Sequence, residues 1–271
     1  MRKKYLIPLE ILGITLAIIW LTPFYLMIVN SLKTKREIFE DTLKPPSSLT
    51  FDNYVQAFVE LDFLRTFANS LIITVISVVI IIIFSSMAAY ALSRTKSRIS
   101  TILLFVFIAA MLIPFQSVML PLITIFGKIE MLNRFGLIFM YLGFGASLSI
   151  FLYHGALSSI PRSLDEAATI DGANRFQIFW YVIFPILKPI TVTVGILNTI
   201  WIWNDYLLPS LVINKQGMET IPLKMFFFFG EYTKQWHLAL AGLTLAIIPV
   251  IVLYFFAQRE IIKGVSEGAV K

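Results

Sequence analysis

Six runs of mostly apolar residues divide the chain, each at or near the ~20 residues a helix needs to cross a bilayer. They lie near Leu6–Val29, Asn69–Leu92, Thr101–Phe126, Phe135–Leu157, Pro185–Leu208 and Leu238–Ala257. The second is the cleanest, its stretch LIITVISVVIIIIF carrying no charge. The third is interrupted by Pro114 and Pro121. Each proline removes a backbone donor and predicts a kink, which a bundle tolerates because the freed carbonyls find other partners. The pattern predicts an all-α membrane protein of six transmembrane helices, a single transmembrane domain over 1–271 without internal repeat or soluble domain. PPSS at Pro45–Ser48 reads as a loop between the first two runs. The basic start MRKK resembles a signal peptide, but the apolar stretch behind it is longer than the roughly 7–15 residues of a signal core. It is expected to stay as the first span.

Between the fourth and fifth runs lies a polar island, EAATIDGANRFQIFWYVIFP, from Glu166 to Pro185. Ser163-Leu164-Asp165-Glu166 just ahead fits a capping box, with Ser163 as N-cap and Glu166 at the third helical position. Asp165 in the first turn suits the helix dipole, and Pro161 ends the preceding structure. Leu164, Ala167, Ala168 and Asp171 share one face by helical spacing. Gly172 is a turn, and Phe176–Ile183 a second short helix leading to Pro185. Two readings stand: a docking surface on one side of the membrane, or an amphipathic helix at the headgroups with Glu166 serving only its own cap. The small alanines let another backbone approach and argue against the second, since a lipid-facing stripe uses Leu or Phe.

Composition agrees with a lipid environment. Of 271 residues, 58% are hydrophobic and 14% charged, against about a quarter charged in soluble domains. There is no cysteine, which excludes disulfides and thiolate metal sites. The net charge of +6 sits in short loops, which points to membrane topology and not to nucleic acid. Basic residues are nearly balanced between the two sides, so density decides: SRTKSRIS is compact and basic, whereas the segment 30–67 is long and offsets its cations with acids. Both termini are therefore expected on the cytoplasmic side.

The island resembles the loop of ABC importer permeases, whose pattern is EAA, three residues, Gly, nine residues and I-x-L-P. The matching residues are Glu166, Ala167, Ala168, Gly172 and Pro185, with Val182 and Phe184 as departures in the apolar slots. SMAAYALSR at Ser86–Arg94, IPFQSVMLPL at Ile113–Leu122, WNDYLLPSL at Trp203–Leu211, TIPL at Thr220–Leu223 and QREIIKGVSEGAVK at Gln258–Lys271 resemble the carbohydrate branch, the second and shorter membrane subunit of maltose and multiple-sugar importers. The family-like core covers about 70–260 and the tail 258–271; the first 70 residues match mainly in span placement.

This resemblance implies a subunit that translocates a sugar, an oligosaccharide, across a prokaryotic cytoplasmic membrane by alternating access. It implies a related permease as heterodimer partner, two cytoplasmic ATPase subunits that bind the ATP and Mg, and an extracellular or periplasmic sugar-binding protein. The loop becomes a coupling helix, with Glu166, Ala167, Ala168, Asp171, Gly172 and Pro185 as its residues. The tail residues Ser266, Glu267, Gly268 and Lys271 either reach the ATPase or form a frayed end. The outer loop from Ser210 to Trp236, with its MFFFF, either anchors at the interface or approaches the binding protein.

No chemistry of the chain's own is expected. It lacks GxxxxGK[ST] and so a phosphate loop, and His154 and His237 have no metal-ligand spacing. Ionisable residues within spans are functional candidates. Glu10 lies near the inner end of the first. Asp205 lies about 30 Å of helix beyond Pro185, near the outer end of the fifth, with Trp201, Trp203 and Asn204. This group is either an aromatic belt with a solvated acid or an outer gate whose indoles and polar groups suit a sugar. Gln116 either faces the pathway or satisfies carbonyls freed by the prolines. No Lys or Arg occupies a span interior, which favours a neutral solute. An ion-coupled secondary transporter, which would show repeats and charged relays, and an importer of glycerol phosphates or charged sugars are the alternatives.

Overall fold

The computed structural model describes residues 3–229 and 234–269; side chains are not described for residues 3–7 and for most of 253–269. Every regular element among the described residues is helical. The chain divides into two compact units, Met1–Thr66 with Leu223–Val252, and Phe67–Pro222 with Leu253–Lys271.

The first unit contains α1 (Lys3–Ser31), the short helices α2 (Lys35–Glu40) and α3 (Asp52–Glu60), α13 (Ile221–Met225) for most of its length, a 3-10 turn over Phe226–Phe228, and the start of α14 (Trp236–Ala269). α1 has Pro8 and Pro23 inside it, and its 24-residue apolar stretch Pro8–Ser31 has 0% of its most apolar window buried. A helix apolar all round and covered by nothing needs lipid or another chain against it. At its far end the polypeptide folds back on itself. Lys33 is buried and donates from Nζ to Asn30 Oδ1 and to the Asp41 carbonyl, both at 2.9 Å. Asn53 Nδ2 donates to the Ser31 and Lys33 carbonyls at 2.8 Å. These bonds satisfy a buried ammonium and orphan carbonyls at the end of α1.

The second unit starts within α4 (Phe63–Arg94) and runs through α5 (Arg98–Ala110), α6 (Phe115–Lys128), α7 (Arg134–Ser158), α8 (Ser163–Ile170), α9 (Arg175–Gln177), a π-helical turn over Ile178–Ile183, α10 (Phe184–Ile186), α11 (Lys188–Asn204) and α12 (Leu207–Val212). Its core gathers Ala89 of α4, Ile150, Tyr153 and Leu157 of α7, Ile183 and Leu187 beside the π turn, and Val194 of α11. α7 lies close against α4 and α11 at Gly145, where a Cβ would lie 2.6 Å from Ile81 Cδ1 and 2.8 Å from Asn198 Oδ1. Small residues permit such approach where helices pack in lipid.

The expected spans thus take three forms. The first, second and fourth are single long apolar helices. The third and fifth are bent pairs: α5 and α6 meet at 103°, and Arg175–Ile186 meets Lys188–Asn204 at 79°. The sixth falls on the apolar stretch Trp236–Val252 of α14. A kink was expected at Pro114 and Pro121. The observed break lies at residues 111–114, with Pro114 extended (ψ 139) at the start of α6 and Pro121 accommodated inside that helix. Pro114 drives residue 113 out of helical geometry and so ends the first half outright. The longer half of the fifth, α11, begins at Lys188, because the chain turns at Leu187.

Candidate functional site: a polar loop and a polar cluster

The polar island folds as two short helices around one glycine. α8 begins at Ser163, which puts Arg162 in the N-cap place with helical angles and no side-chain cap. The expected capping box of Ser163 and Glu166 is absent. Long-range contacts set the helix start instead. Arg162 donates from its guanidinium to the Ser93 carbonyl at 2.9 Å and to the Arg94 carbonyl at 3.4 Å. Asp165 is drawn to the end of α4, where Arg94 Nη2 lies at 2.9 Å from one carboxylate oxygen and the Tyr90 hydroxyl donates to the other at 2.5 Å. A capping box does form one helix later: Asn174 and Gln177 exchange backbone-to-side-chain bonds of 2.9 Å at the start of α9.

Gly172 has φ +84. Its N–H reaches the Thr169 carbonyl and the next N–H, of Ala173, reaches the Ala168 carbonyl, both at 3.0 Å. That pair of bonds is a Schellman ending, which needs a left-handed residue at this position. A Cβ at Gly172 would meet nothing within 4 Å, so glycine is needed here for its backbone angle and not for space.

The outer face of the loop consists of Leu164, Ala167, Ile170 and Asp171, with Glu166 beside them; Ile170 is 87% exposed. Ala168, placed on that face by spacing, instead turns inward against the core. Phe176 and Tyr181 extend the exposed apolar surface. Pro185 is exposed within α10. Because proline offers no N–H and its ring clashes with the carbonyl four residues earlier, the preceding backbone widens into a π turn, with Phe184 N–H bonding to the Phe179 carbonyl. Behind the loop lies a cavity of about 730 Å³ lined by Tyr90, Arg94, Arg162, Asp165, Arg175 and Phe179, among others.

A second polar cluster closes α11. Asp205 accepts from the Tyr141 hydroxyl and from the Leu207 N–H, both at 3.0 Å. Tyr141 is buried on α7 and stands edge-on to Trp201 at 5.4 Å. Trp203 is buried and packs edge-on against Phe67 at 5.8 Å. Asn204 is exposed and spends its amide on the Ile200 carbonyl. Asp205 is therefore a tied carboxylate joining three segments, not a freely solvated acid in a belt. Trp201 remains partly exposed beside it, while Trp203 faces the protein. Gln116 is exposed in the first turn of α6, and among the described residues no hydrogen bond joins it to this cluster.

The family model described as binding-protein-dependent transport system inner membrane component matches residues 81–267. The chain belongs to this family. Across the whole length, the permease is 58% identical over 269 residues to the probable starch degradation products transport system permease protein AmyC of Thermoanaerobacterium thermosulfurigenes, covering 99% of this chain and 97% of that one. It is 35% identical to the melibiose/raffinose/stachyose import permease protein MelC of Bacillus subtilis, covering 100% and 98%. Among solved structures it resembles that of a bacterial ABC transporter involved in the import of the acidic polysaccharide alginate, with a TM-score of 0.79, 27% identity and coverage of 95% and 96%.

Of the tail residues expected at a partner, Ser266, Glu267 and Gly268 of the permease lie in the helical backbone of α14, with side chains outside the description, and Lys271 lies outside the described residues. Sequence reasoning placed the island but missed its anchors. Tyr90 and Arg94 stand four residues apart on one face of α4, a signal visible within SMAAYALSR, yet nothing along the chain links that face to Asp165. Tyr141 and Ile170 were missed for the same reason: an apolar run does not reveal which of its members faces a carboxylate or remains bare.

Proposed function

We propose that this permease is a membrane-spanning subunit of an ABC importer that moves a sugar, an oligosaccharide, by alternating access powered by two cytoplasmic ATPase partners. The observation that carries the reading is the docking loop: a two-turn helix ended by a left-handed glycine, with Ala167, Ile170 and Asp171 turned outward and its inner side tied to a span. Its bare outer face, where Leu164 and Ile170 flank Ala167, suits insertion into a cleft of another protein. Glu166, Ala167, Ala168, Asp171, Gly172 and Pro185 build or brace that surface, and the end of α14, including Ser266 to Gly268, is a second contact with the ATPase.

In this reading the chain crosses the membrane six times, with both termini and the loop on the cytoplasmic side. Half of the most apolar window of α7 and two thirds of that of α4 remain uncovered within this chain, which supports a related permease as partner. The names of AmyC and MelC, transporters of starch products and of melibiose, raffinose and stachyose, support an oligosaccharide as solute. The absence of Lys and Arg from the interiors of the expected spans favours a neutral one, although the alginate system makes an acidic oligosaccharide the competing substrate. The binding protein delivers the sugar from outside; Trp201, Trp203, Asn204, Asp205 and Gln116 are the pathway candidates of this subunit.

Uptake by proteoliposomes holding the permease, its sister subunit and the ATPases tests this reading. With the binding protein outside and ATP-Mg at the ATPases, a labelled malto-oligosaccharide should accumulate and outcompete an acidic one. Accumulation that follows an imposed ion gradient, and persists without the ATPases, would refute it.

A further inference from the structure

The joint between α8 and α4 is built from both sides. Arg94 reaches out of α4 to Asp165 and, at 3.3 and 3.4 Å, to the Ile160 carbonyl ahead of α8. Arg162 reaches back to the last carbonyls of α4, groups that no longer have partners within their own helix and attract cations. The Tyr90 hydroxyl closes the triangle on Asp165. The ion-paired side chains are only 15% and 17% exposed, so salt screens them far less than a surface pair. A pair withdrawn from water adds little net stability over an apolar contact, because desolvation offsets its attraction, but it strongly resists being separated.

Apart from this joint, α8 packs against the π turn. An eight-residue helix is not stable by itself, its outer face is bare, and of its alanines only Ala168 packs into the core. On the side of Arg175 and Phe176 a cavity separates the loop from α4. Among the described residues, the direct polar links between α8 with its N-cap and the second span all come from these four side chains.

We propose that Tyr90, Arg94, Arg162 and Asp165 are positioning residues that make α8 and the end of α4 move as one body, so that displacement of the docking loop passes directly into the second span. This rests on the coupling reading above. Asp165→Asn and Arg94→Gln keep the shape and remove the charge. Tested in the reconstituted importer, each should lower sugar uptake about tenfold, within the range usual for coupling effects, while ATP hydrolysis falls much less, so that more ATP is consumed per sugar. The cysteine-free chain allows spin labels at Phe84→Cys and Thr169→Cys. Their separation should be the same in nucleotide-free and ATP-trapped complexes of the parent and should broaden in Asp165→Asn. Uptake and hydrolysis falling in proportion, unchanged stoichiometry, or a parental separation that differs between the two states overturns the joint. If Gly172→Val abolishes uptake while Asp165→Asn leaves the stoichiometry intact, the joint fails and the docking reading survives; if neither affects uptake, both fall.

Discussion

Gly172 and Asp205 show how single residues acquire their roles. The left-handed angle at Gly172 lets the last carbonyls of α8 be satisfied and turns the chain toward α9. A β-branched residue held there costs about 1–3 kcal/mol, enough to displace a two-turn helix. Gly172→Val should therefore abolish uptake while membrane abundance, read by immunoblot, stays normal, and Gly172→Asn should retain more uptake because asparagine tolerates this region better. Normal uptake by the valine variant would remove the loop from the mechanism. Asp205 has a different kind of task. Its carboxylate accepts the only hydrogen bond seen for the Tyr141 hydroxyl among the described residues. Asp205→Ala should cost about 1–3 kcal/mol by stranding a buried donor, measured as a lowered unfolding temperature in detergent, with Tyr141→Phe costing less. If Asp205 also contacts sugar, half-saturation for uptake should rise in Asp205→Asn, which keeps an acceptor for the tyrosine.

Among the elements, local propensity prevails only where tertiary contacts allow it. Capping boxes form at Thr34/Glu37 and Asn174/Gln177; at the first, Glu37 serves Thr34 with one carboxylate oxygen and accepts from Ser47 with the other. The equally good signal at Ser163/Glu166 forms none, because Arg162 and Asp165 are held by α4 and shift the start of the helix. Glu37 carries a pH signature of its own. The Ser47 hydroxyl, followed by the Thr34 backbone N–H, holds its carboxyl down from 4.5 to about 2. A carboxyl with a lowered folded value contributes stability that is complete above its unfolded value and is lost as pH falls through the folded one. Hydrogen exchange at the Ser47 amide, which donates to Glu37 at 3.2 Å, should thus lose protection progressively between pH 4.5 and about 2. Glu37→Gln should make it insensitive over that interval; the same pH dependence in that variant would assign the effect elsewhere. The two bent spans follow the same logic: Pro114 ends a helix outright, whereas Pro121 and Pro185 are absorbed into helical backbone, the latter behind a π turn. A proline marks where a break can occur and leaves its angle to the neighbours.

For the whole molecule, composition and hydropathy were enough to read an all-helical membrane protein, because a chain with so few charges and such long apolar runs has no soluble solution to its burial problem. The EAA–Gly pattern located the polar loop for an equally local reason, since a helix and its left-handed stop are written within some ten residues. What depended on distant partners was not legible. α4 is joined to α8 across 75 positions by Tyr90 and Asp165, and α7 to α11 across 64 by Tyr141 and Asp205. The sequence by itself determined the helices, their membrane setting, the glycine turn and the family. Only the tertiary structure decided that α8 starts without its cap, that Ala168 turns inward while Ile170 stays bare, that Asp205 is tied and not solvated, and that two arginines lock the loop to the second span. The physical reason is range: backbone angles and hydropathy are set by neighbours along the chain, whereas an ion pair or a buried hydroxyl needs a partner that only folding brings within 3 Å or so.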